Sequence, residues 1–148
     1  MATFKKILIS YNGSQPCRRA AEKAMEIAAD QGAEVFALKV IAFSYETIAP
    51  SDRLWETIMD DLRGKATAIL DELKPMAEEK GLNLTTEIRE GVAEEEIAGY
   101  ACEIGADLIV AAVGGRVSRM GRFLGKGQQR MSIRTLVSEA PCPVMLLH

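Results

Sequence analysis

The sequence predicts an α/β fold: a five-stranded parallel doubly wound sheet of order 3-2-1-4-5, with helices on both faces. Three observations predict it. Short apolar runs alternate with segments of helical periodicity along the chain, which calls for crossover connections and therefore parallel strands. Two of these runs, KILIS at 6–10 and DLIVAAV at 107–113, show no polar alternation, so both of their faces must be covered. No internal repeat, low-complexity tract or linker interrupts the 148 residues, which is one domain's worth of chain.

Each element has its own local reason. Lys6–Ser10 is a buried strand that runs into the turn residues Asn12, Gly13 and Ser14. Ser14 can cap a helix with Pro16 in its first turn, and Ala20, Ala21, Ala24, Met25, Ile27 and Ala28 give it an apolar face until Gly32 stops it. Glu34–Ile41 (EVFALKVI) is the second strand, followed by a loop to Ser51. Leu54, Trp55, Ile58, Met59, Leu62, Ala66, Ile69, Leu70, Leu73 and Met76 recur at helical spacing, with Pro75 placed to kink or interrupt the helix and Gly81 to end it. Leu82–Arg89 alternates and reads as the third strand. Ala93–Ile104 is a helix stopped by Gly105, and its early Glu94, Glu95 and Glu96 suit a helix start. Asp107–Val113 is the fourth strand, a glycine-rich basic loop spans Gly114 to about Gly127, a last helix covers about 128–139, and Pro143–Leu147 is the fifth strand.

Composition narrows the function. Forty-eight per cent apolar and 26% charged residues are ordinary for a soluble domain and exclude collagen-like, disordered and disulfide-framework chains. No apolar run approaches the ~18 residues of a membrane span, and the first residues lack the apolar core and cleavage site of a signal peptide. A cytoplasmic protein with no membrane partner is expected. Cys17, Cys102 and Cys142 form no CxxC pair or zinc knuckle, and the single histidine is the last residue, His148. Histidine-dependent nucleophiles and multi-histidine metal sites are therefore excluded, and no catalytic residue or resident metal is expected. Cys17 near a helix start could be reactive, but no histidine lies near it in sequence, and Cys102 and Cys142 read as packing residues. Phe43, Tyr45 and Trp55 could line a groove or simply pack.

Net charge is −3, yet Leu108 to Ser138 holds no Asp or Glu and carries Arg116, Arg119, Arg122, Lys126, Arg130 and Arg134. A local cationic segment on an acidic chain points to a local anion and away from bulk nucleic acid. In the predicted strand order, the loops after the first and fourth strands meet at one crevice, where ligands of open α/β sheets bind. Glycines bring backbone N–H groups close to an oxyanion, so Gly114, Gly115, Gly121, Gly125 and Gly127 suit a phosphate nest. The segment is not a Walker loop: Gly121 and Gly125 enclose three residues, and Lys126 is not followed by Ser or Thr. Tyr11-Asn12-Gly13-Ser14 likewise lacks the spaced glycines of a dinucleotide fingerprint.

The segments KILISYNGS, GADLIVAAVGG (Gly105–Gly115) and SEAPCPVMLL (Ser138–Leu147), in this order and spacing, resemble the universal stress protein family over nearly the whole chain. The resemblance implies the five-stranded fold, a cytosolic stress-linked role and a homodimer joined through the last strand, here Val144, Met145, Leu146 and Leu147. It also implies binding of ATP or AMP through a G-x2-G-x9-G-[ST] pattern. With Gly115 on the second glycine and Gly125 on the third, Ala112 takes the first position and Lys126 that of the terminal hydroxyl. Counting back from Pro141 instead puts Arg130 and Met131 on the last pair, one step before Ser132. Asn12 stands where the family has an aspartate that meets nucleotide and metal, which weakens magnesium binding. Val40 falls where the family contacts adenine with backbone atoms.

Two readings follow. In one, an adenine nucleotide lies against Ser10, Tyr11, Asn12 and Val40, with its phosphates on Gly114, Gly115, Gly125, Lys126 and Gly127, and turns over little or not at all. In the other, nucleotide binding is lost and the chain is a dimeric interaction or regulatory module. A phosphohydrolase or nucleotidyl-transfer enzyme lacks the acid–base pairs that such chemistry needs.

Overall fold

The computed structural model describes residues 3–42, 53–113 and 132–148. Within them the chain forms β1 (Lys6–Ser10), α1 (Gln15–Gln31), β2 (Glu34–Ile41), α2 (Arg53–Asp71), α3 (Lys74–Glu79), β3 (Leu84–Glu90), α4 (Ala93–Ile104), β4 (Leu108–Ala112), α5 (Ile133–Glu139) and β5 (Val144–Leu147). The five strands form one sheet in the order β3-β2-β1-β4-β5, and every adjacent pair is parallel. The strand order reverses between β1 and β4, as expected of a doubly wound sheet.

Sequence explains where the elements begin and stop. Ser14 caps α1 in extended conformation, its side chain accepting the Cys17 N–H at 3.3 Å, with Pro16 in the first turn where no N–H is needed. Gly32 ends the helix at φ 68°, a left-handed conformation glycine adopts without Cβ strain. The long helical stretch is two helices, as Pro75 predicts. The chain breaks at Glu72 and Leu73, so that Pro75 falls in the first turn of α3.

Four elements differ from expectation at their boundaries, the fifth strand only in starting at Val144 and not at Pro143. The third strand starts at Leu84, because the Leu82 N–H still bonds the Ala77 carbonyl at 2.9 Å as part of the α3 exit. The fourth strand is Leu108–Ala112, although Asp107 and Val113 donate to Lys6 and Leu147 carbonyls at its two ends. The last helix begins at Ile133, later than the expected 128. Ser132 is extended (φ −74°, ψ 104°) and its hydroxyl accepts the Thr135 N–H at 3.2 Å, which makes it a cap and not an interior residue.

Strand residues alternate between two cores, one on each face of the sheet. Ile7, Ile9, Tyr11, Val35, Ala37, Leu108 and Val110 pack under α1 and the junction of α2 and α3, where they meet Ala20, Ala24, Met25, Leu70 and Leu73. Leu8, Leu38, Ile109 and Ala111 pack under α4 and α5 against Ile97, Tyr100, Ala101 and Leu136. The alanines of α1 let the helix lie close to the sheet. No polar side chain is fully buried among the described residues, so neither core depends on an internal polar network.

Candidate functional site

The carboxyl edge of the sheet brings together the ends of β1, β2 and β4. The register aligns Ser10 with Leu38 and Ile9 with Val110. Continued past the strand ends, it sets Tyr11 level with Ala112 and Asn12 level with Val40. The predicted residues Ser10, Tyr11, Asn12, Val40 and Ala112 therefore share one edge at the reversal of strand order. Gly114, Gly115, Gly125, Lys126 and Gly127 lie outside the described residues, as do Phe43 and Tyr45.

Each residue offers different chemistry. Ser10 is half-buried at the strand end. Tyr11 is 2% exposed, and its ring belongs to the core under α1. Its N–H donates to the Leu38 carbonyl at 2.9 Å, and its hydroxyl donates to Glu72 Oε2 at 3.1 Å. Arg18 meets the same oxygen at 3.3 Å. Burial pushes the Tyr11 phenol above its usual range, Glu72 adds to the rise and Arg18 opposes it. Asn12 is exposed, and its Oδ1 accepts the Ser14 N–H at 2.9 Å, an Asx turn that shapes the loop. Gly13 takes φ 82° and lies against α2 so closely that an added Cβ would stand 3.2 Å from Ile69 Cγ2.

The donor set suits backbone recognition and does not suit a divalent cation. Asn12 is neutral and its carbonyl is engaged within its own loop, whereas magnesium prefers carboxylate oxygen. Among the described residues, no three His, Cys, Asp or Glu side chains are grouped to hold a metal. Cys17 is buried in the α1 core, and Trp55 packs on Ile41, Met59 and Ala66. Glu96, from the acidic start of α4, faces Arg89 at 3.7 Å.

Sequence reasoning missed Lys39. This partly buried lysine precedes Val40, and its Nζ donates to the Val40 carbonyl at 3.2 Å. Burial lowers its pKa from the ordinary lysine value. The available signal was a lone cation inside the otherwise apolar FALKVI of the second strand. Glu72 was missed as well, because its role depends on the helix break that carries it to Tyr11.

Comparison with known proteins bears on the whole chain. The profile of the Universal stress protein family matches residues 3–148. Universal stress protein MJ0531 of Methanocaldococcus jannaschii is 35% identical over 144 residues, which covers 97% of this chain and 82% of the relative. The solved structure of universal stress protein UspA from Lactobacillus plantarum shares the fold at TM-score 0.74 and 24% identity, covering 100% of both chains. A universal stress protein family protein from Arabidopsis thaliana, solved with AMP bound, shares it at TM-score 0.66 and 20% identity, covering 96% of this chain and 90% of that one. A family profile spanning nearly every residue, joined to a relative of this identity and coverage, establishes that the chain belongs to the universal stress protein family.

Proposed function

We propose that this protein binds an adenine nucleotide, ATP or AMP, in the crevice between β1 and β4, with little or no turnover. The observation that carries this reading is the convergence of the Ser10–Asn12 main chain, the end of β2 at Val40 and the end of β4 at Ala112 on one edge. Backbone groups there serve a base and ribose, while the acid-free segment that follows β4 supplies cations for phosphate. The Arabidopsis relative with AMP bound supports a mononucleotide as ligand. Gly114, Gly115, Gly125, Lys126 and Gly127 are the proposed phosphate contacts. Asn12 favours binding without magnesium. Calorimetric titration with ATP, ADP and AMP tests the proposal. Saturable heat at micromolar to millimolar nucleotide is expected, and none at millimolar concentration ends it.

The cellular setting proposed is the cytosol, as family membership suggests; among the described residues no helix is long and apolar enough to cross a membrane. Val144, Met145, Leu146 and Leu147 are the proposed homodimer contact. They form an edge strand paired only on its β4 side among the described residues, and such an edge invites a second copy. The engaged state of Asn12 Oδ1 and the Val40 carbonyl also favours a second reading, in which nucleotide binding is lost and the dimer acts as an interaction module. Nucleotide copurifying with the protein, seen as excess absorbance at 260 nm, would exclude that reading.

A further inference from the structure

The sheet has two edges, and they differ. β5 is four residues long, whereas β3 is seven and pairs with β2 along its whole length without a bulge. The Val35 N–H donates to the Asn83 carbonyl at 2.9 Å, and the Gly91 N–H donates to the Ile41 carbonyl at 3.1 Å. In this register Thr85, Glu87 and Arg89 turn their main-chain groups toward β2. Leu84, Thr86, Ile88 and Glu90 turn theirs outward, where no further strand stands among the described residues. Proline, lysine or a bulge commonly guards such an edge, and LTTEIRE has none of the three.

Side chains alternate across the strand. Ile88 packs toward α2 and Glu90 pairs with Arg63 of that helix, whereas Arg89 pairs with Glu96 and Glu103 of α4. On the α2 side a groove of about 270 Å³ follows the edge, with Leu70 and Ile88 as its apolar part and Thr67, Thr86 and Asp71 as its polar part. Asp71 is matched by Lys74. Around the rest of the edge, Asp60, Glu87, Glu90, Glu96 and Glu103 outnumber Arg63 and Arg89. A second copy would bring the same excess of acid and be repelled, whereas an extended chain of opposite charge is attracted. We propose that the free edge of β3 docks an extended cationic segment of a partner protein, which adds to the sheet as a further strand. This surface is separate from the nucleotide site proposed above. The outward N–H and carbonyl groups of Thr86 and Ile88 supply the main-chain bonds. Alternate side chains of the added strand fall into the groove or beside Glu87 and Glu103, so the segment that fits best alternates β-branched residues with Lys or Arg.

The experiment titrates the full chain with a capped peptide of alternating lysine and valine, as long as β3, and follows heat together with amide hydrogen exchange read by NMR. Saturable binding at micromolar to millimolar peptide is expected, with new protection of the Thr86 and Ile88 amides. The glutamate–valine counterpart is expected to bind more weakly by roughly tenfold or more. Thr86→Pro removes an outward donor and leaves the bonds to β2 in place, and is expected to weaken the lysine–valine peptide by roughly tenfold or more. Thr86→Lys guards the edge without altering the main chain; it is expected to act in the same direction and carries the test should the proline variant fail to fold. No binding at millimolar peptide overturns the proposal. So does equally tight binding of a lysine–proline peptide of the same charge, which holds a polyproline II form, or bound peptide that leaves the Thr86 and Ile88 amides unprotected. Folded variants that bind as tightly as wild type overturn it as well. Protection of these amides that rises with protein concentration in the absence of peptide also overturns it, because it assigns the edge to a second copy.

Discussion

Among the described residues, arginine, glutamate and tyrosine meet twice, once on each face of the sheet. On the α1 face, the Tyr11 hydroxyl and Arg18 converge on one oxygen of Glu72. On the α4 face, Arg89 lies over the Tyr100 ring, 4.8 Å from its centroid, and pairs with Glu103 and Glu96. The first cluster uses the tyrosine's hydroxyl and the second its ring. Arg18 and Glu72 are nearly half exposed, so their ion pair adds little by itself, and the hydroxyl is the specific tie between the β1 loop and the α2–α3 break. Tyr100 is anchored instead by its edge contact with Phe36, at 6.4 Å and 75°, and gives Arg89 a platform. The same residue types thus tie the loop after β1 to the α2–α3 break in one place and brace β3 against α4 in the other.

The comparison can be broken most strongly at Gly13. Gly13→Ala puts a Cβ into a left-handed backbone and against Ile69, and is expected to cost about 1–2 kcal/mol in denaturant titration. An unchanged midpoint would mean that the loop is not held to α2. The next effect separates the two tyrosines. Tyr11→Phe is expected to lose about 1 kcal/mol, while Tyr100→Phe stays within about 0.5 kcal/mol. Equal losses would erase the distinction between hydroxyl and ring. The smallest effect concerns Glu103, whose hydrogen bond to Arg89 holds its carboxyl below the usual range. A lowered folded-state pKa contributes stability above the unfolded value and loses it as pH falls through the folded value. Wild type should therefore exceed Glu103→Gln slightly at neutral pH, and the two should converge on acidification. A gap that widens in acid would contradict the pairing.

Much of the architecture was legible because it rests on local chemistry. Ser14, Pro16, Gly32, Pro75 and Gly105 punctuate the helices where their backbone preferences require, and the apolar runs from Lys6 and Asp107 declared a sheet covered on both sides. Parallel strand order indicated that the loops after the first and fourth strands meet, whereas Val40 and Ala112 were picked out by the resemblance to the universal stress protein family. The hydrogen-bond state of these edge residues could not be read. That Asn12 turns its carbonyl back to Ser14, or that Lys39 folds onto Val40, depends on side-chain paths that no spacing encodes. The start of the last helix was misplaced because the good helix formers Gln128 to Met131 in the sequence outweighed a stronger signal, a hydroxyl three residues ahead of the Thr135 N–H.

The opposite end of the sheet is fastened in a way that bears on how the molecule breathes. Asp107 Oδ2 accepts the Lys5 and Lys6 N–H groups at 2.7 and 3.0 Å, the Lys6 carbonyl accepts the Asp107 N–H at 2.8 Å, and Lys6 Nζ reaches the Ile104 carbonyl at 3.0 Å. One carboxylate thus clasps the two central strands where they enter the sheet. Parting the two strands at this margin must break all four of these bonds, so the sheet is bound along that margin like the spine of a book.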